Sequence, residues 1–174
     1  MTRALLSLFV FGAFAHMALA QQGASMRVTV EIIRPTLTLS VSSARLDFGQ
    51  VPPAGRVELH PETGTREGEA YGSHSVAGIL LTGPQGTPVT VQVLPPTPFS
   101  SPTDSPLRPT YEMRWAQSHE CTQTAFAQLP DTDIIEGEIG VSGCTQLRFG
   151  GVLTANQAPP GRYAGEMTVR ITQL

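Results

Sequence analysis

Four kinds of side chain in this sequence could do chemistry: carboxylates, histidines, cysteines and a few aromatics. The densest constellation is acidic. Asp131, Asp133, Glu136 and Glu138 follow Pro130, and a hard cation such as calcium takes several oxygen ligands of this type. Their spacing matches no EF-hand or repeat calcium loop, so the run reads as a solvated acidic loop and no metal is expected. Glu62, Glu67 and Glu69 around Arg66 read in the same way, as ordinary surface charge. His60, His74 and His119 stand in polar, turn-like contexts where a histidine is usually solvated, and neither an H-E-x-x-H motif nor a histidine cluster supports a catalytic zinc. There is no G-x-S-x-G elbow and no cysteine placed beside a histidine with freedom to react. The expectation is a protein without catalysis or a cofactor. Tyr111 and Trp115, with Tyr71 as a third member, are the candidates for ligand contact, as an exposed aromatic platform for a sugar. Their period-two spacing equally fits core positions of a strand, and that alternative stays open.

What Cys121 and Cys144 do depends on the compartment. Arg3, an apolar run over residues 4–14 and the triplet Ala18-Leu19-Ala20 before Gln21 have the form of a secretory signal peptide over residues 1–20. The run is too short to span a bilayer. No cysteine follows the cleavage site directly, which argues against a bacterial lipoprotein anchor. Export places the pair in an oxidising compartment, where a disulfide is the default. A metal site at His119 and Cys121 would lack further soft ligands. The protein is therefore expected in the periplasm, at the cell surface or outside the cell.

Loss of Arg3 with the leader makes the formal charge one unit more negative than the −3 of the whole chain. That thin acidity argues against nucleic acid or an anionic membrane as partner. The chain has no lysine and a single asparagine, Asn156. A GC-rich genome explains this more simply than thermal adaptation, and the absence of lysine excludes a Lys–Asn isopeptide crosslink.

The elements that must position these residues are strands. Met26, Val28, Val30 and Ile32 alternate with Arg27, Thr29 and Glu31 after a short polar lead, residues 21–25, and alternation of this kind marks a half-buried strand. Pro35 interrupts the ladder, as suits an edge or a strand that changes sheets. Leu37, Leu39 and Val41 resume the alternation, and Leu46-Asp47-Phe48-Gly49 follows a turn. Residues 57–59, 75–82 and 89–93 read as further strands, with a long hairpin-like polar connection over 60–72. Residues 95–109 hold six prolines and read as a loop or semi-rigid spacer. Tyr111, Met113 and Trp115 form a short strand, and residues 118–143 read as irregular, bracketed by the cysteines. At the end, Leu147, Phe149, Gly151, Leu153 and Ala155 share one face. Tyr163, Gly165, Met167, Val169 and Ile171 share another, after a reversing connection over 156–161. The expectation is one all-β, immunoglobulin-like sandwich of about seven to nine strands over residues 21–174, with a Pro-rich, disulfide-bracketed insertion at about 95–146. Leu46, Phe48, Leu153, Tyr163, Val169 and Ile171 are expected in its core.

Two blocks of this pattern carry a family resemblance. Leu46-Asp47-Phe48-Gly49 with Val51-Pro52, then His60-Pro61-Glu62-Thr63-Gly64, resemble the opening of the bacterial domain of unknown function 4402 (DUF4402) family. Gly150-Gly151-Val152-Leu153 and Ala158-Pro159-Pro160-Gly161-Arg162-Tyr163-Ala164-Gly165 resemble its close. The resemblance covers about residues 28–94 and 147–174, and implies an exported, sandwich-like domain with no established activity and no catalytic residue to carry over. Residues 95–146 depart from it. A weaker resemblance is to chaperone–usher fimbrial subunits, which share a leader, an alternating N-terminal extension and an alternating last strand. Gln173 stands where those subunits favour a tyrosine, and their disulfide usually lies nearer the N-terminus.

Together these observations lead to an exported structural or adhesive module at the bacterial cell surface, as a fibre subunit or as a self-contained domain. A binding module for a glycan or another extracellular ligand, using residues 95–146, is the alternative. The two structural forms turn on the first strand. It is either folded onto its own domain or handed to a neighbour by β-strand addition, so that copies of the chain or other surface subunits become partners. The in-domain strand is the simpler arrangement.

Overall fold

Strict alternation in the sequence becomes one-sided burial in the structure, a computed structural model that describes residues 22–33, 37–94, 97–100, 106–122, 126–129 and 133–174. The expected signal peptide over residues 1–20, Asp131 and part of the Pro-rich segment lie outside the described residues. In chain order the strands are β1 (Gln22–Ile33), β2 (Thr38–Ser43), β3 (Arg45–Val51), β4 (Arg56–Leu59), β5 (Arg66–Gly68), β6 (Ala77–Thr82), β7 (Pro88–Leu94), β8 (Thr110–Ser118), β9 (Ala127–Gln128), β10 (Ile134–Glu138), β11 (Cys144–Thr154) and β12 (Arg162–Gln173). The described residues contain no helix. The fold is all-β, with two sheets in a sandwich-like arrangement: β10-β7-β12-β1-β3 in one, and β2-β6-β11-β4-β5 with β8 and β9 in the other.

The strand count exceeds the expected seven to nine because short pieces pair where the sequence read as loop. β5 closes a hairpin on β4 within the polar connection. β10 pairs antiparallel with β7 inside a stretch expected to be irregular. Its doublet Ile134-Ile135 breaks the alternation, and Glu136, Gly137 and Glu138 carry little β-propensity, so only the demand of β7 for an edge partner makes it a strand. The polar lead is also part of an element, since β1 begins at Gln22.

β1 lies within its own sheet. It runs parallel to β12 from Gly23 opposite Arg162 to Ile33 opposite Thr172, and its other edge pairs antiparallel with β3, with a register shift between Ala24 and Ser25. The chain changes sheets between β1 and β2; Pro35, expected at an edge or at such a change, lies outside the described residues. β11 and β12 belong to different sheets, so the connection between them reverses the chain and also crosses the sandwich. Its positive φ angles fall on Asn156 (52°) and Gln157 (54°) and not on a glycine. Asparagine tolerates that region better than most residues.

β11 organises the second sheet. One of its edges pairs with β8 from Gln146 to Thr154. The other pairs with β6 over Cys144 to Phe149 and then with β4 over Gly151 to Thr154. The change of partner falls at Gly150-Gly151, where a side chain has no room. A Cβ on Gly150 would lie 2.2 Å from the Leu59 carbonyl oxygen, and one on Gly151 would lie 2.2 Å from that of Glu112. Gly151 also holds φ +146°.

The expected core residues Leu46, Phe48, Leu153, Tyr163, Val169 and Ile171 are all buried, together with Trp115, Phe149, Met26 and Met167. Cys121 and Cys144 form the expected disulfide, with Cα atoms 5.2 Å apart. It ties the chain just beyond β8 to the first residue of β11.

Gly151→Ala is expected to destabilise the protein by about 2 kcal/mol or more, through backbone strain and the clash with Glu112, as a lower denaturant midpoint. Replacing Cys121 and Cys144 together by serine is expected to lower stability by about 3 kcal/mol through loop entropy. The double variant should still fold, because Cys121 is exposed and the apolar core is otherwise intact.

Candidate functional site

Trp115 and Tyr111 project from β8 into the protein, so the pair forms no exposed platform. Trp115 is 1% exposed and stacks on Phe149, with centroids 6.0 Å apart and planes 16° apart. Tyr111 meets Phe48 edge-on at 5.7 Å, and its hydroxyl donates to the Gly150 carbonyl at 2.5 Å. Desolvation pushes the Tyr111 phenol far above the ordinary tyrosine pKa, so it remains a donor at any ordinary pH. That bond falls at the partner change of β11.

The acidic run does not converge. Asp133, Glu136 and Glu138 are exposed on or beside edge strand β10, and among the described residues no group of three His, Cys, Asp or Glu side chains is arranged to hold a metal ion. His74 and His119 are exposed. His60 departs from the expectation of a solvated loop histidine. Its side chain is 23% exposed, with Nδ1 3.7 Å from Glu58 Oε1 and 3.6 Å from Glu62 Oε1, and Nε2 3.5 Å from Glu67 Oε2. Glu58 also accepts from Arg114 Nη1. Arg114 on β8 and Glu58 on β4 flank β11 at Gly150 and Val152, so the pair reaches across the strand where it carries only hydrogen as a side chain. The cluster is a clamp between strands. Sequence order hides it, because Arg114 is 56 residues from Glu58.

Two broad concavities lie elsewhere, on the outer face of the first sheet. Two adjoining hollows of about 760 and 700 Å³ share Ser25, Arg45 and Ala164, and form one trough over β12, β1 and β3. Its floor follows from the ladder register. Gly23 stands beside Arg162, Ser25 beside Ala164 and Asp47, and Arg27 beside Glu166 and Arg45. The middle of the floor is therefore small and the charges collect toward the ends.

Two irregular segments border the trough, and backbone hydrogen bonds hold both. On the β12 side, Thr97 N–H donates to Glu166 O and Ser100 N–H to Ala164 O, each at 2.9 Å. Phe99 is buried between them, against Gly165. On the β3 side, Gln50 and Tyr71 exchange two backbone bonds of 2.9 Å, and Arg66 Nη1 donates to the Gly72 carbonyl at 3.1 Å. Gly49, at φ +78°, lets this segment approach, since a Cβ there would lie 2.5 Å from Tyr71 O. Tyr71 itself is 61% exposed. Of the three aromatics considered for ligand contact it is the one that faces solvent. The alternation of strands signals the two faces of β1 and β12, but the meeting of Arg27 with Arg45 depends on a strand pairing that no local pattern announces.

No protein-family model matches this chain, and no curated protein matches it.

Tyr111→Phe is expected to lose about 1 kcal/mol at neutral pH, by removing the bond to Gly150. The folded protein holds the Tyr111 proton more tightly than the unfolded chain, so this contribution is complete below about pH 10 and is lost as pH rises beyond it. Urea titrations from pH 7 to 11 should show wild-type stability falling more steeply above about pH 10 than that of the variant.

Proposed function

We propose that this chain is an exported, noncatalytic structural or adhesive module of the bacterial cell surface. The observation that carries the reading is a broad trough open on the outer face of the first sheet. A shallow surface of that kind suits contact with another surface or polymer. The disulfide supports an oxidising compartment, and the blocks that resemble the DUF4402 family support an exported sandwich without an established activity. The full-length ladder between β1 and β12 supports a self-contained module over a fibre subunit that donates its first strand.

The ligand-binding alternative has an observation of its own. Thr97, Pro98 and Ser100, from the start of the segment that departs from the family pattern, line the trough. Tyr71 takes the role first considered for Tyr111 and Trp115. Adhesion and ligand binding are then two uses of one surface.

The test is the location and processing of the protein in cells that export the full chain. Mass measurement should find protein that begins at Gln21, and antibody should reach it on intact cells. Protein retained in the cytoplasm with residues 1–20 attached overturns the proposal.

A further inference from the structure

We infer that the trough over β12, β1 and β3 is a binding site for an acidic polysaccharide, with its arginines holding carboxylate or sulfate groups and Tyr71 packing on a sugar ring. This rests on the ligand-binding reading and specifies its ligand class. The first support is a violated pairing rule. Arg27 and Arg45 stand directly opposite each other on neighbouring antiparallel strands, both exposed, an arrangement that works against the sheet. Arg45 is partly compensated by Asp47 at 3.3 Å. Arg27 makes no ion pair with any described residue, although Glu166 is its neighbour on β12. Arg162, at the other end of the floor, makes none either. Guanidinium groups present paired N–H donors that match a carboxylate or a sulfate bidentately.

The second support is the floor between the charges. Ser25 and Ala164 are small, and a Cβ added to Gly23 would meet nothing within 4 Å. A flat ring can therefore lie close to the backbone. The third is Tyr71, which is exposed yet tethered through its own backbone and through Arg66. An aromatic held in place loses little further freedom when a ligand covers it.

Length selects a polymer over a small anion. Arg45 and Gln50, the partner of Tyr71, are five residues apart on β3, about 17 Å at ~3.4 Å per residue. That span accommodates several linked sugar units. The negative charge of the whole chain disfavours a uniformly dense polyanion such as nucleic acid, and leaves spaced anionic groups as the better match.

The test titrates the exported protein with polygalacturonate and dextran sulfate, with unmodified dextran and single-stranded DNA as comparators. Expected is binding of at least one acidic polysaccharide, weakened by salt and by about tenfold or more in the double variant Arg27→Gln with Arg45→Gln. Tyr71→Ala should weaken it several-fold. The arginine variant should melt close to wild type, because removal of the like-charge pair offsets loss of the surface Arg45–Asp47 ion pair, so lost binding would not reflect lost folding. Failure of both acidic polymers to bind, or binding unaffected by the arginine changes, overturns the inference. Equal, Tyr71-dependent binding of dextran overturns the acidic class but leaves the ligand-binding reading standing. DNA binding as tight as that of the polysaccharides also overturns it.

Discussion

The first sheet exists only if the two ends of the described chain meet. β1 and β12 are neighbours along their full length, and β1 is the sole link from β12 to β3. Met26 and Val28 on one strand, and Met167 and Val169 on the other, turn to the same core. Neither strand can bury its apolar face in this way alone. Ordering the intervening chain must precede most of the reward, as in other folds dominated by distant pairings. In the second sheet the disulfide ties the start of β11 to the segment beyond β8.

The second sheet solves a different problem. β11 has to serve three neighbours, and a strand has two edges. The solution is to divide one edge between β6 and β4, with Gly150 and Gly151 at the division. Removal of two side chains brings the backbones of β4 and β8 close. It also opens room for Tyr111 to bond the Gly150 carbonyl and for Arg114 to reach Glu58 over β11. One local sequence feature thus accounts for a strand junction, a buried phenol and an ion pair. The crowding of carboxylates around His60 follows from the same junction, because β4 and β5 bring Glu58 and Glu67 to it.

Period-two alternation made most of this fold readable. Burial follows it in β12, where tyrosine, methionine, valine and isoleucine point inward, and in β7, where Val89, Val91 and Val93 do. The same pattern identified every core residue expected from it, and the isolated cysteine pair identified the disulfide. What alternation does not encode is which strand lies beside which. The separation of β11 and β12 into different sheets, and the edge role of β10, are set by pairing between segments far apart in sequence. The site suffers most from this. Tyr111 and Trp115 attract notice as aromatics at period two, and for that reason belong to the core. Tyr71 sits in a polar stretch without pattern, and only the backbone bonds to Gln50 make it a fixed feature of the surface.

Consistency between local preference and global fold is the rule in stable proteins, and departures from it concentrate where function opposes stability. Here the strand interiors obey the rule closely. The departures include glycines at 150 and 151 in the middle of a long strand, glutamate opposite glutamate at 58 and 67, and arginine opposite arginine at 27 and 45. The first departure has a complete structural account in the division of β11. The glutamate pair has His60 and Arg114 beside it, whereas Arg27 has no ion-pair partner among the described residues, because Asp47 compensates only Arg45. A pair of cations in one trough with an ordered exposed tyrosine is what the acidic ligand proposed above would neutralise.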